Sequence, residues 1–342
     1  MDLYIRNKNY EIIKVIRNAD SVIWKKSYNN VGQCAFTIPV SSTLFDVIAN
    51  DNYITREDDD MVCRIKQITI TTNRDTGMHF YQVVGLDMLD VLSQRIVWKM
   101  EDFNGNVENA IRDIITHNCI DTTNYGGNNR KIENIELDTK YGFTETFEKQ
   151  VTYDNVLDCV LAICQQFDYG IKVYYSNGKF KIKLYKGVDH SYGQTTNPYV
   201  VFSDENHNLD TSQYFFDSSV YKNMALIGGK GEGTERTLVM VNNNTSGLNR
   251  YEVFVDASSL EETTNYQKQL EQHGQEQLKI MTAQETFDGD IKNTNLYKYK
   301  EHFNLGDIVT VRNNLGISKN SRIRNVTESY DINGEDVTLS FE

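Results

Sequence analysis

The amino-acid sequence predicts an α+β fold in which antiparallel strands predominate. Short β-branched and aromatic runs, separated by polar turns, fill both ends of the chain, whereas the middle carries two amphipathic helical stripes. Length adds a third observation. The 342 residues correspond to two or three domains at about 150 residues each, and such a chain buries roughly three quarters of its unfolded surface.

The first hundred residues read as strands. Leu3–Arg6 and Tyr10–Ile16 flank Asn7-Lys8-Asn9, a polar break of hairpin length. After the Asn29-Asn30-Val31-Gly32 turn, Cys34, Phe36 and Ile38 alternate with Ala35 and Thr37. Met61–Thr71 and His79–Gly85 are two further runs, separated by Asn73–Gly77. Strands at this spacing suggest a barrel or a sandwich. The stretch Gly85–Leu92 then predicts one or two helical turns leaving the sheet.

The middle changes period. Within Asn106–Ile120, Val107, Ala110, Ile111, Ile114 and Ile115 form one helical stripe. A second helix is predicted over Asp154–Phe167, with Val156, Leu157, Val160, Leu161, Cys164 and Phe167 inward and Thr152 or Asp154 as N-cap. Ile171, Val173 and Tyr175, then Ser176-Asn177-Gly178, then Phe180, Ile182 and Leu184 spell a hairpin. Strands return at Tyr199–Phe202, Val220–Ile227, Thr237–Val241 and Tyr251–Val255. A long polar helix follows over Leu260–Thr286, with Ser258 and Glu261, or Ser259 and Glu262, fitting a capping box. Its thin apolar stripe implies packing on one side. Leu305–Val311, Ser321–Tyr330 and Val337–Phe341 close the chain as strands, with Asn333-Gly334 as a hairpin turn. These shifts divide the chain into a first β domain over 1–98, an α/β module over 99–200, and a second β domain over 201–342 that includes the helix near 260–286.

Composition excludes several classes. Hydrophobic residues at 39% and charged ones at 24% fit a globular chain and argue against wholesale disorder. Pro39 and Pro198 are its prolines, so there is no proline-rich linker. A formal charge of −13 disfavours sequence-independent grip on a phosphate backbone, which relies on clustered Lys and Arg. Cys34, Cys63, Cys119, Cys159 and Cys164 show no paired spacing and read as reduced, buried thiols made in a cytosol. Asp2, Arg6 and Lys8 interrupt any signal-peptide core, and no apolar run approaches the 18 or so residues of a membrane span. A soluble protein that stays, at least initially, where it is made is expected.

The search for chemistry returns no site. Gly228-Gly229-Lys230-Gly231-Glu232-Gly233 lacks a following helix and a Lys-Ser/Thr ending, so it reads as a hairpin loop or bulge, not a phosphate cradle. Glu57-Asp58-Asp59-Asp60 lacks the alternating carboxylates and turn glycine of a calcium loop and reads as solvated. Asp288-Gly289-Asp290 and Asp331–Asp336 fall short in the same way. His117 and Cys119 lack a second ligand pair, and His117 suits a helix C-terminus. There is no GxSxG elbow, and Cys159 and Cys164 lie inside a predicted helix. A pair of glycosidase carboxylates would leave little trace in sequence, and nothing positive supports one. Most of the 21 tyrosines and 15 phenylalanines alternate in strands and read as core. The catalytic, cofactor and metal sets are therefore empty, and the interface residues are unassigned.

The order of elements carries more than any motif. Val31-Gly32-Gln33-Cys34-Ala35-Phe36-Thr37-Ile38-Pro39 opens a β domain that ends in Gly85-Leu86-Asp87-Met88-Leu89 through Arg95-Ile96-Val97. The helix-hairpin Tyr153–Tyr185, the strand Met224–Gly228 with its glycine loop and Arg236, and Leu305-Gly306-Asp307-Ile308-Val309 follow. This succession resembles the Gp37-like tail proteins of siphophages, relatives of the baseplate hub and of the N-terminal part of tail-associated lysins, over almost the whole chain. The resemblance implies two tube-like β-barrel domains joined by smaller α/β modules. It also implies a ring of three copies in the virion that continues or closes the tail tube at its tip or baseplate. Implied partners are further copies of the chain, distal tail and tape-measure proteins, and tail fibre or receptor-binding proteins. No cofactor is implied. Catalytic domains in such proteins are usually appended beyond the hub region, and the chain stops just after its last predicted strand, so no enzyme activity is expected. An acidic channel wall would repel passing DNA and let it slide during ejection. The alternatives are a cell-wall-degrading hydrolase and a carbohydrate-binding receptor module.

Overall fold

A computed structural model describes residues 1–49, 51–72, 77–262, 264–291 and 296–341. Strand accounts for 42% and helix for 18%, so the predicted predominance of antiparallel β with small α modules holds. The N-terminal strands are β1 (Leu3–Arg6), β2 (Ile12–Ile16), β3 (Ser21–Ser27), β4 (Gln33–Pro39), β5 (Tyr53–Thr55), β6 (Cys63–Thr72) and β7 (His79–Asp87). Alternation in β4 buries Cys34, Phe36 and Ile38 around Trp24 of β3, as the period-2 pattern requires. The predicted turn Asn73–Gly77 lies, except for Gly77, outside the described residues. Asp87 then accepts the Leu89 N–H at 3.0 Å and caps Met88–Gln94, so the helical turns predicted after the sheet are present and are of the 3₁₀ type.

The middle of the chain forms β8 (Glu101–Asn106), α1 (Val107–Ile115), β9 (Ile135–Leu137), β10 (Thr146–Val151), α2 (Val156–Phe167), β11 (Gly170–Ser176) and β12 (Lys179–Tyr185). Both predicted helices are present. The cap of α2 is Asn155, whose side chain accepts from Leu157 and Asp158, and not Thr152 or Asp154. Asp168, in the left-handed conformation at φ 58°, ends α2. Asn177 and Gly178, at φ 52° and 77°, make the β11–β12 turn.

The last part contains β13 (Val201–Ser203), β14 (Leu209–Asp217), β15 (Met224–Gly228), β16 (Leu238–Val241), β17 (Glu252–Asp256), α3 (Tyr266–Ile280), β18 (Gln284–Ile291), β19 (Ile308–Arg312), β20 (Ser318–Asp331) and β21 (Gly334–Phe341). The helix expected over 260–286 is shorter at both ends. Asp256, not a capping box, takes the Ser258 N–H at 3.0 Å, and residues from Gln284 onward pair as β18 with β14 and β21. Ladder pairing overrides helical propensity there.

One sheet spans both ends of the chain in the order β14-β18-β21-β20-β3-β4-β7-β6-β5-β1-β2. Its halves meet where β20 pairs antiparallel with β3, from Asn325↔Ser27 to Tyr330↔Val22. Four apolar clusters lie beneath. One is built on β1–β7, one on α1, α2 and the β11–β12 hairpin, and one on the final strands together with Tyr28. The fourth lies between α3 and the small sheet β16-β15-β17. The opposite side of α3 meets β8 and β10 through polar contacts, Gln269 to Asp102 at 2.6 Å and Lys149 to Glu276 at 2.8 Å. Such contacts tolerate the thin apolar stripe of this helix.

Candidate functional site

The motifs singled out in the sequence are absorbed by structure. The glycine-rich segment is the turn between β15 and β16, which pair antiparallel. Its carbonyls take the Arg236 guanidinium, from Nε to Gly229 O at 3.0 Å and from Nη2 to Gly228 O at 2.9 Å, and its Lys230 N–H goes to the Tyr266 hydroxyl. A loop folded over its own arginine leaves no anion cradle. Cys119 is buried, and burial pushes its thiol up to about 12. His117 bonds Glu101 at 2.6 Å and stacks on Tyr125, and that hydrogen bond raises its pKa. No group of three or more metal-ligating side chains occurs among the described residues.

The acidic run departs in part from its reading as a solvated loop: Glu57, Asp58 and Asp60 are exposed, but Asp59 is not. Asp59 has no exposed side-chain surface and sits 3.1 Å from Lys26 and 3.0 Å from Lys300. Asp60 pairs with Lys26 at 3.1 Å and with Lys172. Asp58 pairs with Arg56 at 2.5 Å, and Arg56 also holds Glu328 on β20 at 3.1 Å. Burial works against the Asp59 charge, but Lys26 and Lys300 outweigh it and hold the carboxyl at about 2. Burial likewise opposes the Lys26 charge, while Tyr299, Asp59 and Asp60 raise its pKa. The run is thus a cross-link: its carboxylates tie β3, β11 and the loop before β19 to one point.

These groups line a cleft of about 650 Å³ walled by Lys26, Asp59, Asp87, Lys172, Tyr299 and Lys300, among others. Asp87 stands apart, because burial pushes its carboxyl up to about 7. Beside the cleft, the fully buried Tyr28 ring lies 5.2 Å from the Arg322 guanidinium and 5.8 Å from that of Arg324. Both arginines reach the Asp168 carboxylate, at 2.6 Å and 2.8 Å, and the Tyr28 hydroxyl donates to the Asp168 carbonyl at 3.1 Å. Gly170, Gly187 and Gly306 supply the close backbone approach this joint requires; a Cβ on Gly170 or Gly306 would run into Tyr28, and one on Gly187 into Gly306. With its cations and carboxylates largely committed to one another, the joint is suited to fixing the relative placement of three parts of the chain.

The surface offers a different kind of site. From β14 to β6 the large sheet contains eight strands in succession. Among the described residues, no strand pairs with the outer side of β14, and β5 covers β6 only at Cys63 and Arg64. Phe215 and Phe216 on β14 are 44% and 57% exposed, and Ile70 on β6 is 54% exposed. Open edges flanked by exposed apolar side chains are templates for pairing with another chain. Reading the aromatics as core by default misses β14. Its Tyr214-Phe215-Phe216 triplet is the signal that could have marked an outer strand.

A family model described as Siphovirus ReqiPepy6 Gp37-like protein matches residues 2–341. No curated protein matches. Among solved structures, the 43 kDa tail protein of prophage MuSo2 from Shewanella oneidensis is similar over 100% of this chain and 98% of its own, with TM-score 0.64 and 11% identity. The tail protein from Neisseria meningitidis MC58 is similar over 99% and 95%, with TM-score 0.60 and 12% identity. Prophage tail protein gp18 from Listeria monocytogenes EGD-e is similar over 99% and 94%, with TM-score 0.55 and 14% identity. At these identities the likeness is one of fold.

Proposed function

The chain belongs to the Siphovirus ReqiPepy6 Gp37-like family, and from this membership we propose that it is a structural hub of the tail tip or baseplate. In this reading three copies form a ring that continues or closes the tail tube and docks neighbouring tail proteins, without catalysis. The observation that carries it is the eight-strand run from β14 to β6, made continuous by the β20–β3 pairing and, among the described residues, open along β14 and along residues 66–72 of β6. A heterologous contact joining β14 of one copy to residues 66–72 of β6 in the next closes into a ring if the rotation fits. Main-chain hydrogen bonds supply such a contact, and the exposed Ile70, Phe215 and Phe216 reinforce it. The charge of −13 suits a wall past which DNA slides.

Mass photometry of the purified chain, alone and with its neighbouring tail proteins, tests the assembly. A three-copy particle is expected, and Ile70→Lys or Phe215→Lys reduces it to monomer while circular dichroism stays unchanged. A chain that stays monomeric with its neighbours present would refute the ring, and clearing of cell-wall suspensions by the purified chain would refute the non-catalytic reading.

A further inference from the structure

Away from the joint and the sheet edges, the chain carries an apolar and cationic surface that its own fold leaves uncovered. Segment 96–100 lies against residues 153–155 through an isolated antiparallel bridge between Ile96 and Asn155. The Val97 N–H donates to Asp154 O at 2.9 Å and the Tyr153 N–H to Val97 O at 3.0 Å. This pairing turns Val97 inward, fully buried, while Ile96, Trp98, Met100 and Tyr153 are 42%, 45%, 48% and 71% exposed. Tyr153 is held at φ 55°, a conformation a bulky side chain rarely adopts.

Three cations, Arg95, Lys99 and Arg130, surround this patch on a chain of net charge −13. Arg130 stacks on the Trp98 ring at 4.6 Å, yet its guanidinium donates only to main-chain carbonyls, those of Tyr125 and Ile96. Arg95 likewise donates to the carbonyls of Arg130 and Gln94. Lys99 lies 5.2 Å from the Tyr125 ring centroid. None of the three has a carboxylate partner among the described residues. The acids nearby are Glu101, engaged with His117 and Asn118, the exposed Asp154, and Asp113 and Asp121, which act on the His117–Tyr125 pair. In the joint, by contrast, Lys26, Lys172 and Lys300 each hold a carboxylate.

We propose that segment 96–100, with Tyr153 beside it and Arg95, Lys99 and Arg130 at its rim, docks a partner protein that presents carboxylates around an apolar side chain. Tryptophan, tyrosine, methionine and arginine are the side chains concentrated in protein interfaces, where an apolar centre is ringed by charge. The rim's unpaired cations select an acidic counterpart and speed its encounter. A nucleic acid fits less well. Tyr125 is already covered by His117 and Lys99, and one face of Trp98 by Arg130, which leaves Tyr153 as the one fully open aromatic ring of the patch, and Ile96 and Met100 offer nothing to phosphate. This surface is separate from the edges assigned to ring formation, so ring size and docking are measured independently.

The test uses fluorescence anisotropy with a labelled random copolymer of glutamate and tyrosine at about 0.15 M salt. Polyglutamate and a thymidine oligonucleotide serve as comparison probes. The copolymer is expected to bind best. Its affinity is expected to fall about tenfold in Trp98→Ala and in Lys99→Glu, and also in Met100→Asp, which changes an exposed position without touching the Arg130 contacts. Lys8→Glu, on the distant β1–β2 turn, is expected to leave binding unchanged. Equal binding of polyglutamate or the oligonucleotide would show a plain anion surface and overturn the proposal, as would insensitivity to Lys99→Glu and Met100→Asp. Self-association that is lost in Trp98→Ala and competes with the copolymer would assign the surface to a second copy of the chain and overturn it too.

Discussion

Replacing Asp87 by asparagine should stabilise the protein at alkaline pH, although it removes a charged residue from a helix cap. Asp87 ends β7 with 8% of its surface exposed, and its carboxylate accepts the Leu89 N–H at 3.0 Å. Burial dominates its titration and, with Asp60 and Asp59 near by, holds the group at about 7 against the pull of the Leu89 N–H and Lys26. An unfolded aspartate titrates near ~3.9. Between those values the folded chain carries a proton that the unfolded chain has lost, so stability is fullest below ~4 and declines as pH rises towards 7. A carboxyl raised from ~3.9 to about 7 contributes about 4 kcal/mol at most, and relaxation of the cleft lowers this to an expected ~2 kcal/mol. The Asp87→Asn side chain would keep an oxygen for the Leu89 N–H, and Lys26 would keep Asp59 and Asp60, each at 3.1 Å. Urea unfolding followed by the fluorescence of Trp24, which is fully buried in the N-terminal cluster, reads the midpoint directly. The variant should unfold at higher urea than the parent at pH 8 and at about the same urea at pH 4. Titrating groups that do not interact with Asp87 contribute equally to both proteins and cancel in the difference. A variant that is less stable than the parent at pH 8, or one with an unchanged pH slope between 4 and 8, would refute the reasoning.

Two further outcomes follow from the joint around Tyr28. Asp168→Asn should keep the left-handed turn that ends α2 but withdraw the charge facing Arg322 and Arg324, lowering stability by about 1–2 kcal/mol. Asp168 is 39% exposed, so solvent screening keeps the loss below that of a fully buried pair; thermal melts and faster proteolysis near residue 168 would register it, and an unchanged melt would show that the arginines find water instead. Gly187→Ala should cost about 1–3 kcal/mol, because its methyl would meet the Gly306 carbonyl, whereas Gly105→Ala, with open space around it, should be neutral or slightly stabilising; equal melting temperatures for the two variants would contradict this packing.

Local structure was legible wherever period and punctuation agreed. The α1 and α2 stripes, the Asn177-Gly178 turn and the alternation in β4 are written in neighbouring residues, and each formed where expected. The losses are non-local. Asp59 and Asp60 read as solvated because the lysines that neutralise them lie 33 to 241 positions away from Asp59 and 34 to 112 from Asp60, at 26, 172 and 300. Strand β14 escaped because Asp210-Thr211-Ser212-Gln213 is polar, and a strand at the rim of a sheet has no need of an apolar face. The far end of the 260–286 helix gave way to β18 because partners at β14 and β21 existed to receive it. The unpaired cations around Trp98 were equally invisible, since their lack of partners is a property of the folded surface alone.

The pairing of β3 with β20 also sets the order in which the protein can mature on the ribosome. Ser27 and Asn325 share a side-chain hydrogen bond at 2.6 Å across 298 positions. At about 5–20 residues per second, translation leaves β3 with one bare edge for roughly 15–60 s before its final neighbour emerges. During that interval the first β unit has its own core but carries an unsheathed strand, the kind of surface that seeds aggregation. Lys25 and Lys26 lie on β3, and charges on a waiting edge discourage premature pairing with a neighbouring nascent chain. Arrival of β20 and β21 then joins the two halves of the eight-strand run, and until they emerge β14 and β6 do not belong to one continuous sheet.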